Sequence, residues 1–294
     1  MANSNRLLLL LTMLALAITI ITASSSFSEL DLSYAQSLGN IKDLSTDATD
    51  AHDPQVLVSG SNIYAIWVDF VTGNDDIYFK RSIDRGASFG DTINLSNNPG
   101  DSYNFKVSLS GDYMYIVWQD ETLSVNGTDD ILFKRSTDGG ASFGDAINLS
   151  NDTGDSIRPE IAVSDSNVFI VWQNQAMKGD NVFFKRSADG GASFGDTINL
   201  SNNTGDSTNP EFSVNSSSSV YTVWQNQASN NKTHDILFKR SADGGASFGD
   251  TINLSNNTGD STNPDITSTN DGSAYIVWTD NYKGRSKVFF RVLG

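Results

Sequence analysis

The chain of 294 residues contains no cysteine, so a disulfide framework, a zinc–thiolate site and a cysteine nucleophile are all excluded. It has two histidines, His52 and His234, in different parts of the sequence, which offers no shared imidazole site for a metal. Basic residues are scarce: 19 Lys and Arg stand against 35 Asp and Glu, for a net charge of -16. That balance opposes nucleic acid and anionic membrane surfaces as partners, and favours solubility or cation binding. No segment shows helical periodicity, and a long apolar run occurs once, over residues 7–23. What the chain does have is 38% hydrophobic and 10% aromatic residues, enough for a substantial core.

The apolar run follows a short, singly basic start and precedes small residues near Ala23, the pattern of a secretory signal peptide. An uncleaved N-terminal membrane anchor is the rival reading, because the run is near the minimum for crossing a bilayer. The expected organisation is therefore 1–23 signal or anchor, 24–39 linker and 40–294 folded domain. The expected location is extracellular or at the cell surface. Sequons at Asn94, Asn126, Asn148, Asn151, Asn199, Asn202, Asn215, Asn231, Asn253 and Asn256 agree with export, although Asn and Ser are simply abundant here.

The five tryptophans, Trp67, Trp118, Trp172, Trp224 and Trp278, end similar apolar runs and are spaced at 51, 54, 52 and 54 residues. A fixed period of this size is the signature of a repeat architecture. Each unit reads as alternating apolar residues after a loop, the run ending in Trp, a second run such as DILFKRS, and then DGGASFGDTINLS. Those are four short strands separated by Gly, Asn, Asp and Ser turns, which predicts one β-propeller blade per unit. Residues 184–210 recur letter for letter at 238–264, a span from one third strand into the next blade.

The turns SIDRGASF (82–89), STDGGASF (136–143), SADGGASF (187–194) and SADGGASF (241–248) resemble the Asp box, or BNR repeat, of the sialidase-like β-propeller family. The local physics stands beside that resemblance. Asp84, Asp138, Asp189 and Asp243 can bond the backbone of their own turns, glycine supplies positive φ, and the aromatic anchors the turn. The boxes are structural on this reading. The fifth unit stops at Gly294 after its third strand, and NIKDLS at residues 40–45 resembles the missing fourth-strand motif TINLS. The expected fold is all-β: a five-bladed β-propeller of four-stranded antiparallel blades, closed by an N-terminal strand completing the last blade. A partial ring shared between chains is the alternative.

Function is expected on the face opposite the boxes, where the loops between second and third strands vary in length and content. The loops into the first strands repeat one Asp per unit: Asp50, Asp101, Asp155, Asp206 and Asp260. They suit a calcium site on one reading and local loop closure on the other. No other cofactor is expected. The second position of each first strand breaks the repeat, with Gln55, Lys106, Glu160, Glu211 and Asp265. Alternation sends Val56, Val107, Ile161, Phe212 and Ile266 between the blades and the polar set toward the channel. Glu160, Glu211 and Asp265 are candidates for acid–base or nucleophilic work on a glycoside, or for wet channel lining.

Resemblance to sialidases implies three arginines on a substrate carboxylate, a tyrosine–glutamate nucleophile and an aspartate acid. Of nine arginines, Arg158 and Arg285 alone fall on the expected face, and an Arg-Ile-Pro motif is absent. Tyr103 and Tyr282 lie in suitable loops. The inventory favours a non-catalytic, monomeric propeller that binds a glycan or surface protein through Arg158, Lys106, Tyr103, Tyr282 and Arg285. The alternatives are a sialidase-related glycoside hydrolase and a structural cell-surface repeat protein.

Overall fold

The computed structural model describes residues 39–45, 50–71, 73–122, 127–151, 154–175, 179–202, 205–227, 232–282 and 284–294. The expected signal or anchor and nearly all of the expected linker lie outside the described residues. Residues 45–294 make one compact unit. No helix among the described residues is long and apolar enough to cross a membrane.

Blade 1 holds β1 (Ala51–Ser59), β2 (Asn62–Asp69), β3 (Asp76–Ser82) and β4 (Ile93–Asn94). Blade 2 holds β5 (Ser102–Ser110), β6 (Tyr113–Asp120), β7 (Asp130–Ser136) and β8 (Ile147–Asn148). In blade 3 the strands are β9 (Asp155–Ser164), β10 (Asn167–Gln175), β11 (Asn181–Ser187) and β12 (Ile198–Asn199). Blade 4 contains β13 (Asp206–Val214), β14 (Val220–Gln227), β15 (Asp235–Ser241) and β16 (Ile252–Asn253). Blade 5 contains β17 (Ser261–Ser268), β18 (Ala274–Tyr282) and β19 (Arg285–Leu293). Strands pair antiparallel in sequence order, giving four sheets of four strands and one of three. This is the five-bladed propeller that the tryptophan period predicts.

The second strands of blades 2, 3 and 4 are buried on both sides, because these blades are packed between neighbours. Trp118, Trp172 and Trp224 are completely buried, while Trp67 and Trp278 are nearly so. Four apolar clusters fill four junctions between successive blades.

The Asp boxes are structural, and they do more than turn the chain. In blade 2 the Ser136 hydroxyl donates to Asp138 Oδ1 at 2.7 Å and accepts from Gly140 N at 2.8 Å, while Ser142 donates to Asp138 Oδ2 at 2.6 Å. The same set recurs around Asp84, Asp189 and Asp243. These donors hold the carboxyls well below their usual range, to about 2 for Asp84, with the Ser88 hydroxyl its largest cause.

The boxes of blades 2, 3 and 4 also grip the blade before them. Phe143 meets Phe79 edge-on at 5.2 Å, Phe194 meets Phe133 at 4.9 Å, and Phe248 meets Phe184 at 5.0 Å. Arg81 donates to the Gly139 carbonyl at 2.8 Å and Arg135 to the Gly190 carbonyl at 2.7 Å. The second glycine of the box is required by this contact. A Cβ on Gly140 or Gly191 would stand 2.8 Å from the ring of Phe79 or Phe133, and both have positive φ.

Two expectations about ring closure are corrected. Residues 40–45 carry no strand, and among the described residues no fourth strand pairs with β19. In complete blades the residue opening the third strand accepts from the fourth-strand motif: Ser96 Oγ donates to Asp76 Oδ1 at 2.6 Å and Asn94 Nδ2 to Asp76 Oδ2 at 2.8 Å. By register, Lys287 of β19 takes the place of Asp76, and an ammonium cannot accept those bonds.

Second, Val56 does not pack between blades but is 69% exposed, because among the described residues blade 1 has no neighbour on that side. Its counterpart Ile266 is 8% exposed.

The sequons divide by what their amides already do. Asn94, Asn199 and Asn215 donate their side-chain nitrogens to Asp76, Asn181 and Tyr221. Asn151, Asn202 and Asn256 are exposed, whereas Asn126 and Asn231 lie outside the described residues.

Candidate functional site

Every first strand carries a register irregularity just before its polar second position, and the residue before each irregularity ends is left-handed. These residues are Asp53, Asn104, Arg158, Asn209 and Asn263, with φ between 49° and 54°. Asn and Asp tolerate that conformation, but Arg rarely adopts it. The bulge turns each strand inward, and all five left-handed residues line one cavity of about 580 Å³ on the axis.

Gln55, Lys106, Glu160 and Glu211 line the same cavity, as the alternation predicted. Asp265 does not: it is exposed beside the wall, although its neighbours Asn263 and Pro264 contribute to it. The physical reason is the uncovered flank of blade 5, which leaves Asp265 facing solvent.

Lys106 Nζ lies 2.5 Å from Glu160 Oε1 and balances that charge inside the wall. Burial pushes the Glu160 carboxyl up from its usual range, against the pull of Lys106. Glu211 is pushed up to about 7, first by burial and then by the Glu160 charge, with Asp265 adding to the effect. One carboxyl paired with an ammonium and one pushed up by burial therefore share a cavity. Arg158 donates through Nη1 to Asn209 Oδ1, which places the guanidinium along the rim.

A set of glutamines that sequence reasoning passed over ties this ring together. Gln119 follows Trp118 and accepts from Asn104 Nδ2 at 2.9 Å and from Arg158 N at 3.4 Å. Gln173 Oε1 accepts from Asn209 N at 3.3 Å, and Gln225 Oε1 from Asn263 N at 3.4 Å. Each glutamine thus fixes the left-handed residue of the following blade. The signal was present as WQ in three of five units.

Tyr103 is not in the cavity wall. Its hydroxyl donates to Asp129 Oδ2 at 2.9 Å, lies 3.3 Å from Glu121 Oε1 and accepts from Gln119 Nε2 at 3.1 Å. Burial and these carboxylates push the phenol far up, so it is a poor nucleophile at neutral pH. Arg285 is exposed in β19 and also outside the wall, while the side chain of Tyr282 lies outside the described residues.

The remaining arginines do not converge. Arg81, Arg135 and Arg186 are held by box carbonyls, Arg240 stacks on Tyr221 at 5.2 Å, and Arg291 donates to the Leu254 carbonyl at 2.7 Å. No three-arginine carboxylate clamp is formed among the described residues.

The repeated loop aspartates close loops. Asp101 Oδ1 accepts from Asp75 N at 2.9 Å, Asp155 Oδ1 from Asp129 N at 2.8 Å, Asp206 Oδ1 from Asp180 N at 3.2 Å, and Asp260 Oδ1 from His234 N at 2.8 Å. Each clips the second-to-third-strand loop of the preceding blade to the next blade. Asp50 differs, donating its own N–H to Asp69 Oδ1 at 3.4 Å. Among the described residues no group of three or more His, Cys, Asp or Glu is placed to hold a metal ion.

Neither a protein-family model nor a curated protein matches the chain. Solved structures do. An ulvan lyase of polysaccharide lyase family 25 aligns with TM-score 0.54 at 11% identity, over 85% of this chain and 66% of that one. The NanB sialidase from Streptococcus pneumoniae aligns with TM-score 0.50 at 10% identity, over 85% of this chain and 60% of that one. The fold shared with them is a β-propeller. An α-L-arabinanase from Penicillium chrysogenum also aligns, with TM-score 0.49 at 13% identity, over 82% of this chain and 80% of that one. At such identities the likeness concerns the fold alone, and function has to be argued from the site.

Proposed function

We propose that the protein is an exported carbohydrate-binding propeller that takes a glycan end into the axial cavity without cleaving it. The observation that carries this reading is the ring of five left-handed residues, whose amides, carboxyl and guanidinium all line one cavity of about 580 Å³. A pocket rich in side-chain donors and acceptors matches the hydroxyls of a sugar. The propeller neighbours include proteins whose names specify glycan substrates, an ulvan lyase and a sialidase, which supports carbohydrate as the ligand class.

The arrangement supports binding without cleavage. Glu160 is held by Lys106, Tyr103 is held by carboxylates, and Asp265 stands outside the wall. A glycan array with the purified full chain tests the reading. Binding that Arg158→Ala and Asn209→Ala abolish supports it, and no signal above background overturns it.

One observation favours a second reading. Burial pushes the Glu211 carboxyl up to about 7 while Glu160 is paired with Lys106, and two carboxyls held so differently suit general acid–base cleavage of a glycoside. Release of the aglycone from a panel of aryl glycosides, lost in both Glu211→Gln and Glu160→Gln, would replace binding with hydrolysis as the function.

A further inference from the structure

The wall of the axial cavity is layered, because the first strands of blades 1 to 4 each contribute three consecutive residues to it and blade 5 contributes two. The left-handed residue comes first, an asparagine in three blades: Asn104, Asn209 and Asn263. The next residue is Phe105 in blade 2 and proline in the other four blades, and Phe105, Pro159, Pro210 and Pro264 are buried. The third layer carries charge, with Lys106, Glu160 and Glu211 in successive blades. Amides, a collar of apolar rings and a charged end give one wall three chemistries.

In the charged layer one group has no partner. Lys106 Nζ is taken by Glu160 at 2.5 Å, and the Arg158 guanidinium donates to Asn209. The Glu211 carboxyl is half-buried and makes no hydrogen bond or ion pair among the described residues. The charges around it are Glu160, Lys106 and Asp265, and two of these three are negative. A carboxyl withdrawn from water without a donor is costly, and the occupant of the cavity is the group that can supply one.

We propose that the sugar bound in the axial cavity is an amino sugar whose ammonium pairs with the Glu211 carboxyl; this rests on the carbohydrate reading above. An ammonium brings three donors and a positive charge to a place where Glu160 and Asp265 set a negative field. Its approach opposes the burial and the like charges that push the Glu211 carboxyl up to about 7, so binding ionises it. An acidic sugar meets the reverse situation: it adds a further carboxylate to Glu160 and Glu211 while Lys106 and Arg158 are both engaged. A metal ion is a poorer fit than an ammonium, since it needs several oxygen ligands at once, and among the described residues no group of three or more His, Cys, Asp or Glu is placed for one. The pyranose ring presents C–H faces that Phe105 and the prolines can cover.

Calorimetric titration of the full chain with three oligosaccharides of one linkage tests this: a glucosamine oligomer, the same oligomer N-acetylated, and the glucose oligomer. Only the first carries a charge. It is expected to bind about 10- to 100-fold more tightly than either of the others, the worth of a hydrogen bond to a charged group. Equal or tighter binding of the N-acetylated or the glucose oligomer overturns the amine and leaves carbohydrate binding standing. Failure of all three to bind overturns the amine as well, and a silent glycan array then removes the carbohydrate reading with it. The net charge of -16 also attracts a cationic oligomer to the outer surface. Glu211→Gln separates the two, because it keeps the shape of the side chain and removes its charge. The preference for the amine should disappear in this variant, and a preference that survives belongs to the surface and overturns the proposal.

Discussion

Phe133 and Phe290 occupy the same place in their blades, yet Phe133 is fully buried and Phe290 is 61% exposed. The difference lies in what comes next. Phe133 is covered by Phe194 and Gly191 of the following box, and Arg135 beside it is held by the Gly190 carbonyl. In blade 5 the arginine position is Val292, and no box is seated on the ring of Phe290 among the described residues. A propeller blade is thus finished by its neighbour, and identical residues differ in energy according to whether that neighbour is present.

Interior junctions should break hardest. Phe133→Ala removes a fully buried ring under a box and is expected to destabilise by about 3–5 kcal/mol in denaturant unfolding. Arg135→Val copies the blade 5 residue into an interior junction and leaves the Gly190 carbonyl without its donor. A loss of about 1–3 kcal/mol is expected by the same measurement. The reverse sign is expected at the cavity rim. Arg158→Asn puts at this left-handed position the residue used in three other blades, and should raise stability by about 1 kcal/mol while weakening any glycan binding. A gain in stability with binding intact would show that the guanidinium has no ligand role.

The smallest effect is electrostatic. Glu211 binds its proton more tightly folded than unfolded, so its contribution is full below the ordinary value of 4.5 and is lost as pH rises through about 7. Glu211→Gln should flatten the fall of thermal midpoint across that window. Asp265→Asn, on the open flank, should only narrow it, because it removes one of the charges that hold Glu211 up. Equal slopes in all three proteins would remove the coupling between these carboxyls.

The repeat was legible because it is written in large residues at fixed spacing: Trp in each second strand, and Ser, Asp, Gly and Phe in each box. Gln55, Lys106, Glu160 and Glu211 were legible as cavity residues because alternation along a strand is a local rule. The left-handed ring was visible as HDP, YNF, IRP and two copies of TNP, but its common backbone was hidden because Asp, Asn and Arg look unlike one another as letters. The open flank was not legible at all. Val56 has the composition of a buried residue, and its exposure depends on a contact between residues at opposite ends of the domain. The NIKDLS match led toward a closing strand because the motif shows only half of the pairing; Lys287 on the other half decides it.

The grip of these boxes on the blade before them also sets an order in time. A chain is synthesised from its N-terminus, and Phe79 cannot be covered until Phe143 has emerged, nor Phe133 until Phe194. Each blade therefore leaves the ribosome unfinished and waits for the next, so an interruption of synthesis at any unit strands an exposed aromatic on the last blade made.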